Sequence, residues 1–291
     1  MGDLASTFRR DVLLRDYSTF KVGGPARYFT EVADLTQVQE IVAYCSQQQI
    51  PFFVLGKGSN CLFDDRGFNG LVILNKLDKL TESDGLFTVG AGYSFSHLGV
   101  VTARQGWAGL EFASGIPGSV GGAVFMNAGA NQGETAAALE RVIFVDATGT
   151  VRDYARNDLT FSYRHSLFQE LAGVIVEASF RLMPDLEARQ RQIKIIDYRK
   201  ATQPLRDKSA GCVFRNPDGG FAGQLIESCQ LKGIAVGGAQ VSPRHANFIV
   251  NAGGATAQDV LGLMAKVKEA VYQQTGKVLH EEIRYVRYLP S

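Results

Sequence analysis

The chain has 291 residues, 45% of them hydrophobic, and a formal net charge of +1, so it is long enough to bury the cores of two or three domains. Its balanced charge gives no basic surface for nucleic acid, and no apolar run approaches the ~20 residues that span a bilayer. The amino-terminal segment lacks the apolar stretch of a secretory signal. We therefore expect a cytoplasmic protein with no nucleic acid and no membrane among its partners. A monomer is favoured over an oligomer.

Four cysteines, Cys45, Cys61, Cys212 and Cys229, occur without any C-x-x-C spacing. A zinc knuckle or a redox pair would need such a spacing. The pattern therefore predicts reduced thiols, as in a cytoplasmic protein, and no metal site.

Residues 1–76 are predicted to form a first subdomain in which helix and strand alternate. Asp34 is placed to cap a helix that runs to Gln48 with its apolar residues on one face. Apolar runs at Phe52–Leu55 and Leu71–Leu74 then predict two strands.

Residues 77–200 are predicted to form a second, β-rich subdomain. A turn at 147–150 separates two of its strands, and a polar helix, Leu186–Lys200, leads out of it. The other elements are strands at Phe87–Ala91, Arg141–Asp146, Val151–Tyr154 and Val174–Leu182, and a helix at 95–106.

Residues 201–291 are predicted to form an α+β domain. Its strongest signal is the amphipathic helix Thr256–Gly276, which has an apolar face and ends on glycine. The remaining elements are a short helix at Ala222–Cys229 and strands at Asn247–Asn251 and Val278–Tyr288.

Two glycine-rich loops, Gly56–Asn60 and Gly115–Gly122, carry the strongest functional signal. Glycine lets backbone N–H groups approach a ligand and tolerates positive φ. Either loop alone is consistent with an ordinary turn, but two in one chain favour a long phosphate-bearing ligand held at two places. The first loop is not a dinucleotide fingerprint, because Gly-x-Gly-x-x-Gly would need glycine at Cys61.

Motifs along most of the chain, taken in order, resemble one family. They are Thr19–Ala26 (TFKVGGPA), Leu55–Asn60 (LGKGSN), Ser114–Gly122 (SGIPGSVGG), Met126–Ala130 (MNAGA), Tyr163–Ser166 (YRHS), Ala210–Pro217 (AGCVFRNP) and Glu282–Arg284 (EIR). Together they resemble the UDP-N-acetylenolpyruvoylglucosamine reductases, flavoenzymes of bacterial peptidoglycan synthesis. The chain lacks the extra insert of the longer members, so it resembles the shorter, second type.

The resemblance implies an α+β fold with an FAD-binding part of the PCMH/oxidase type. In that fold two α+β subdomains hold FAD between them, and here a carboxyl-terminal α+β substrate domain would follow. This division agrees with the boundaries 1–76, 77–200 and 201–291.

The resemblance also implies an oxidoreductase in which NADPH, as co-substrate, reduces non-covalently bound FAD. The flavoprotein then reduces the enolpyruvyl group of UDP-N-acetylglucosamine enolpyruvate to give UDP-N-acetylmuramate. Such a reaction serves cell wall biogenesis, and through it cell shape and cell division. The implied FAD contacts are Gly56, Gly58, Ser59, Asn60, Gly115, Ile116, Pro117, Gly118, Ser119, Gly121, Gly122 and Asn127.

Three catalytic residues are implied by the same motifs. Arg164 matches the arginine that holds the charge developing on the substrate, Glu282 matches the family's glutamate, and Cys212 stands where the family usually has an acid serine. The alternatives are a structural arginine, a small buried cysteine and solvated carboxylates. Because side chains alternate along a strand, only one of Glu281 and Glu282 is expected to face the site.

Substrate contacts are implied at Arg215, Asn216 and His245. The sequence leaves two other functions open. One is an FAD oxidase of the same flavin-binding group that acts on a sugar or alcohol. The other is a non-catalytic nucleotide-binding protein, for which cysteine in place of serine at Cys212 is the one hint.

Overall fold

The structure, a computed structural model, describes residues 4–290 as two compact units. The first unit comprises 4–9, 28–57 and 70–198, and the second comprises 10–27, 58–69 and 199–290. The predicted division at residues 76 and 200 stays a prediction. Residues 1–3 and 291 of the chain lie outside the part that the structure describes.

Within residues 4–290 the chain forms 21 strands and seven α-helices. In chain order the strands β1–β21 are Arg9–Leu13, Pro25–Val32, Phe52–Leu55, Cys61–Phe63, Phe68–Asn75, Leu80–Ser83, Leu86–Gly90, Trp107–Ala108, Gly129–Ala130, Gly133–Glu134, Leu139–Asp146, Val151–Ala155, Phe161–Ser162, His165–Ser166, Gly173–Arg181, Met183–Pro184, Ser209–Cys212, Ala235–Val236, Ala239–Val241, Phe248–Asn251 and Arg284–Val286. The helices α1–α7 are Leu35–Gln47, Phe95–Arg104, Val120–Met126, Thr135–Ala138, Ala188–Thr202, Ala222–Ser228 and Ala257–Thr275.

The largest sheet of the first unit has the strand order β12-β11-β15-β7-β6 and is antiparallel throughout. The predicted turn after β11 forms as expected, because the Asp146 carboxylate accepts the N–H groups of Thr148 and Thr150 while Gly149 has φ +83°. Large buried aromatic side chains, among them Phe87, Phe144 and Phe180, fill the core beside this sheet. The sheet thus gives a rigid base for the loops between α2 and β14.

A parallel pair, β3 and β5, forms a second part of the first unit. The helix α1 begins as predicted, with the Asp34 carboxylate accepting the N–H of Gln37. Its buried face is Val38, Ile41, Val42 and Cys45. The first glycine loop follows directly where β3 ends at Leu55, so its start is fixed by a strand that is paired with β5.

The second unit is built on the sheet β17-β20-β19-β18 and the long helix α7. The helix has a capping box in which Thr256 and Asp259 satisfy each other's backbone N–H groups, and it ends at Gly276 with φ +67°. The carboxylate of Asp65 also accepts the N–H groups of Ala257 and Gln258 at the first turn. The amphipathic pattern therefore predicted this helix correctly.

The prediction of one long carboxyl-terminal strand over Val278–Tyr288 is wrong in extent. Only Arg284–Val286 forms a ladder, parallel to β4. The residues before it bond elsewhere, because Glu282 N donates to Val213 O and Arg215 N donates to His280 O. A single run of sequence is thus divided between two partners, which alternation of apolar residues does not reveal.

Candidate active site

The two glycine loops meet in the first unit, through Gly56 and Ser119. A Cβ built on Gly56 would lie far inside van der Waals distance of Ser119 Oγ. That hydroxyl already caps α3, since it accepts the N–H of Gly122 at 3.3 Å. A Cβ at position 56 would therefore displace the Ser119 hydroxyl from its capping position, and the two loops that the sequence singled out separately are neighbours.

Gly58 shows the same requirement within the second unit. It has φ +63°, and a Cβ there would overlap the backbone of Tyr17 and Ser18. Its carbonyl accepts the N–H of Thr19 at 3.2 Å. A stretch in which side chains are excluded by packing presents bare backbone, and this is the kind of surface that holds a phosphate-bearing cofactor.

The N–H groups of the second loop have partners within the protein at several of the predicted FAD contacts. Gly118 N donates to Ile116 O, Gly121 N to Ala91 O and Gly122 N to Ser119 Oγ. A Cβ on Gly121 would also press on Ala91. These glycines fold the loop, and their place among the FAD contacts stays a prediction.

Asn127 and Asn60, also predicted to bind FAD, use their side chains internally. Asn127 is 1% exposed and left-handed, with φ 41°. Its amide donates to Glu134 Oε2 and Ser162 O and accepts the N–H of Ala136. The Asn60 amide donates to Glu282 O at 3.2 Å. Both side chains hold neighbouring segments in place.

Arg164 lies in a two-residue turn that joins β13 to β14 in the first unit. Its backbone is left-handed, with φ 58°. Its guanidinium carbon lies 4.9 Å from the centroid of the Tyr163 ring, a cation–π contact that holds the positive charge against a half-exposed aromatic face. The turn thus presents a fixed charge at the end of a hairpin.

Cys212 and Glu282 lie on two backbone segments of the second unit that are hydrogen-bonded to each other. Cys212 ends β17, after Gly211 with φ +80°, and the next residue, Val213, accepts the N–H of Glu282 at 2.7 Å. Glu281, the residue before Glu282, is exposed and pairs with Lys268 at 2.7 Å. The Glu281 carboxylate thus faces solvent and Lys268, and Glu282 is half-buried beside the Cys212 segment.

Arg199, which the sequence did not single out, is an electrostatic neighbour of Cys212. Burial lowers the pKa of the Arg199 guanidinium, and the Cys212 thiol acts in the opposite direction. Among the described residues its Nε is buried with no hydrogen-bond partner. The residue lies near the end of a polar helix, α5, where one more arginine gives no sequence signal.

The three predicted substrate residues lie in the second unit and differ in what they offer. Arg215 has a buried Nε without a partner among residues 4–290, so it can donate to an acidic ligand. The Asn216 carbonyl oxygen accepts the N–H of Ala222 at the start of α6.

His245 completes this set as a neutral donor. Burial first, and then the charge of Lys232, lowers the pKa of its imidazole. Nδ1 accepts the N–H of Asn247 at 3.2 Å, so the proton of the neutral ring lies on Nε2. The ring packs edge-on against Phe248, with centroids 4.8 Å apart, which holds that donor in one orientation.

Two family models match the chain. Residues 26–155 match an FAD binding domain, and residues 203–286 match the carboxyl-terminal domain of UDP-N-acetylenolpyruvoylglucosamine reductase. Across residues 4–290, no helix has the length and apolar character needed to cross a membrane.

Curated relatives resemble the chain over nearly its whole length. A UDP-N-acetylenolpyruvoylglucosamine reductase of Protochlamydia amoebophila is 57% identical over 286 residues, covering 98% of this chain and 96% of the relative. One from Chlamydia felis is 45% identical over 281 residues, covering 96% and 95%. The crystal structure of UDP-N-acetylenolpyruvylglucosamine reductase (MurB) from Thermus caldophilus matches with a TM-score of 0.82 and 38% identity, covering 96% of this chain and 99% of that one.

Proposed function

We propose that Arg164, Cys212 and Glu282 carry the chemistry of this chain, which belongs to the UDP-N-acetylenolpyruvoylglucosamine reductase family. The protein is an FAD- and NADPH-dependent oxidoreductase of peptidoglycan precursor synthesis. Its fold is α+β, an FAD-binding domain followed by the family's carboxyl-terminal domain. The observation that carries the assignment is identity of 57% along 98% of the chain.

The residues proposed to hold FAD are the glycine loops, Gly56–Asn60 and Gly115–Gly122. The side-chain-free backbone at Gly56 and Gly58 fits a cofactor gripped through its phosphates. When bound, FAD supplies hydride transfer between NADPH and the enolpyruvyl methylene carbon. Neither loop contains histidine, so no histidyl link to the flavin is available there.

Arg164 is proposed to bind the carboxylate of the enolpyruvyl group. Its guanidinium is always charged and can donate two parallel N–H bonds to one carboxylate. Negative charge that develops on the carbon next to the carboxylate spreads into it, and the arginine stabilises that charge most when it is fully formed.

Cys212 is proposed to donate the proton that completes the reduction. One substrate carbon takes the hydride, and its neighbour takes a proton from Sγ, leaving a thiolate that solvent reprotonates. A thiol with a reference pKa of ≈ 8.5 is mostly protonated at neutral pH. The positive charge of Arg199 beside the sulfur stabilises the thiolate that remains.

Glu282 is proposed to orient these groups or to assist protonation. Support comes from its backbone bond to Val213, next to Cys212. Glu281 is exposed and pairs with Lys268, whereas Glu282 is half-buried, and we propose Glu282 for this task. Arg215, Asn216 and His245 are proposed to bind the UDP-sugar, with Arg215 and the Nε2–H of His245 as donors.

The wider setting follows from the substrates. NADPH and nucleotide-linked sugars are cytoplasmic metabolites, so we place the enzyme in the cytoplasm, where its product feeds cell wall synthesis and thereby cell shape and division. We propose that the protein is a monomer. Its net charge of +1 supports the further proposal that it binds neither nucleic acid nor membranes. We propose the division of the chain into 1–76, 77–200 and 201–291, and the carboxyl-terminal domain match that begins at residue 203 supports the last of these boundaries.

Anaerobic spectroscopy of the purified protein tests the proposal. We expect flavin absorption that NADPH bleaches and that the enolpyruvyl sugar restores. Recovery with oxygen but not with the sugar would instead support an oxidase, and a protein that binds no flavin would support a non-catalytic role.

A further inference from the structure

The turn that carries Arg164 has an unusual backbone. Two residues, Tyr163 and Arg164, connect Phe161–Ser162 to His165–Ser166, and of the two only Arg164 has positive φ, at 58°. Residues with a Cβ rarely adopt this conformation, and turns of this kind favour glycine or asparagine there. Such a conformation persists only where surrounding contacts over-determine it, so something must hold this turn.

Gln169 makes a contact that restrains this turn. Its side-chain amide Nε2 donates to the carbonyl oxygen of Arg164 at 3.1 Å and to that of Phe125 at 2.9 Å. Phe125 is near the end of α3, where carbonyl oxygens have no partner within the helix. One amide group thus joins the strained peptide of Arg164 to the helix that follows the second glycine loop.

Two further bonds fix the rest of the hairpin to the same helix end. Ser166 Oγ donates to Phe125 O at 2.7 Å, and Asn127 Nδ2 donates to Ser162 O at 3.0 Å. These bonds hold the two strands of the hairpin, but neither touches the peptide of Arg164. The Gln169 amide differs from them because it donates to the Arg164 carbonyl itself.

We propose that Gln169 is a positioning residue for Arg164. By fixing the carbonyl of Arg164, its amide fixes the left-handed backbone and hence the direction in which the guanidinium leaves the turn. Without the amide, the peptide relaxes towards the negative φ that most residues prefer, and the guanidinium moves. A misplacement of about 1 Å at a reacting group can cost about 100-fold in rate. This inference rests on the proposed role of Arg164.

Three substitutions at Gln169 test it in the complete flavoprotein. Gln169→Leu removes both donors, Gln169→Glu keeps the shape but places oxygens against two carbonyls, and Gln169→Lys supplies N–H donors again. Gln47→Leu, at an exposed site on α1, is the matched control. Flavin content, melting temperature and the two half-reactions are measured for each.

For Gln169→Leu and Gln169→Glu we expect normal flavin content and bleaching by NADPH within about twofold of the unmodified enzyme. Re-oxidation by the enolpyruvyl sugar should slow at least ~10-fold, and Gln169→Lys should recover part of that loss. The inference is overturned if re-oxidation is unchanged in Gln169→Leu, or if both half-reactions slow equally. If Gln169→Leu does not fold, the comparison of Gln169→Lys with Gln169→Glu decides, and equal rates for these two overturn the inference.

A double substitution separates this inference from the proposal beneath it. If Gln169 acts through Arg164, then Gln169→Leu should slow re-oxidation little further in an enzyme that already carries Arg164→Lys. If Arg164→Lys alone leaves sugar-dependent re-oxidation unchanged, the assigned role of Arg164 is what has failed. If Arg164→Lys slows it and the effect of Gln169→Leu simply adds, Gln169 acts by another route.

Discussion

Replacing Asp64 by asparagine is expected to destabilise the second unit at neutral pH. The buried carboxylate accepts hydrogen bonds from the backbone N–H, Nε and Nη2 of Arg66, each at 2.9 Å, and from the hydroxyl of Tyr285 at 2.6 Å. It thereby ties β4 to β21, the strand that follows Glu282 in the chain. An asparagine retains one oxygen and turns an NH2 group towards these donors.

The size of the effect follows from exposure. The Arg66 side chain is 66% exposed whereas that of Asp64 is 7% exposed, so solvent screens the contribution of their ion pair to stability. The Tyr285 bond and the backbone bond to the buried carboxylate carry the rest, and a hydrogen bond to a charged group contributes roughly 1.5–3 kcal/mol. We expect a loss of about 2 kcal/mol, which lowers the melting temperature by about 4–8 °C in a domain of this size.

The dependence on pH has a definite sign. Hydrogen bonds from Arg66 and Tyr285 hold the pKa of Asp64 well below its usual range. A depressed folded-state pKa gives stability that is present above the unfolded value of about 3.9 and is lost as pH falls towards the folded value. The effect of Asp64→Asn should therefore be full from pH 5 to 7 and shrink below about pH 4.

Urea unfolding at pH 3.5, 5 and 7 measures this directly. Asp153→Asn is the matched control, because Asp153 also pairs with an arginine but both partners are about half exposed, at 52% and 53%, so little change is expected. A midpoint for Asp64→Asn equal to that of the control at pH 7, or a deficit that grows on acidification, would contradict a stabilising role of the Asp64 carboxylate.

Three further predictions concern the site. Gly56→Ala should reduce flavin content without unfolding the protein, because its Cβ displaces Ser119 Oγ; normal flavin content would contradict this, and Gly220→Ala, with open space around it, is the control. Arg164→Lys, which keeps the charge but loses the planar fork, should leave bleaching by NADPH unchanged and slow re-oxidation by the enolpyruvyl sugar; equal slowing of both would make it a structural residue. Cys212→Ala should lose ~10²–10⁴-fold in turnover while Cys212→Ser retains most of it, and full turnover in the alanine variant would exclude the thiol as proton donor.

Elements defined by local signals could be predicted from the sequence. Asp34 and Thr256 begin their helices, and Gly276 ends one, because each satisfies or relaxes the backbone at its own position. The strand at Phe52–Leu55 was placed to the residue for the same reason, since apolar residues stop abruptly at Gly56. In these cases the deciding interactions span only a few residues of chain.

What the sequence could not give depends on partners distant in the chain. Glycine spacing predicted the same role for Gly56 and Gly121. In the structure Gly56 packs against Ser119, whereas Gly121 donates its N–H to the carbonyl of Ala91. The predicted final strand was too long because residues 280–282 bond to 213–215. Sequence periodicity does not indicate these packing and hydrogen-bond partners, because they depend on which distant segment lies beside the residue in the fold.

Arg199 and Gln169 show why residues that support a reacting group are not identified from sequence motifs. Each is a common polar residue whose importance comes only from its neighbour, the thiol of Cys212 for one and the carbonyl of Arg164 for the other. A reacting group is recognisable by its chemistry, whereas a group that orients it needs only a donor or a charge at the right distance, which many residue types supply. Such positions are therefore visible only in the three-dimensional structure, where the left-handed backbone of Arg164 lies in contact with Gln169.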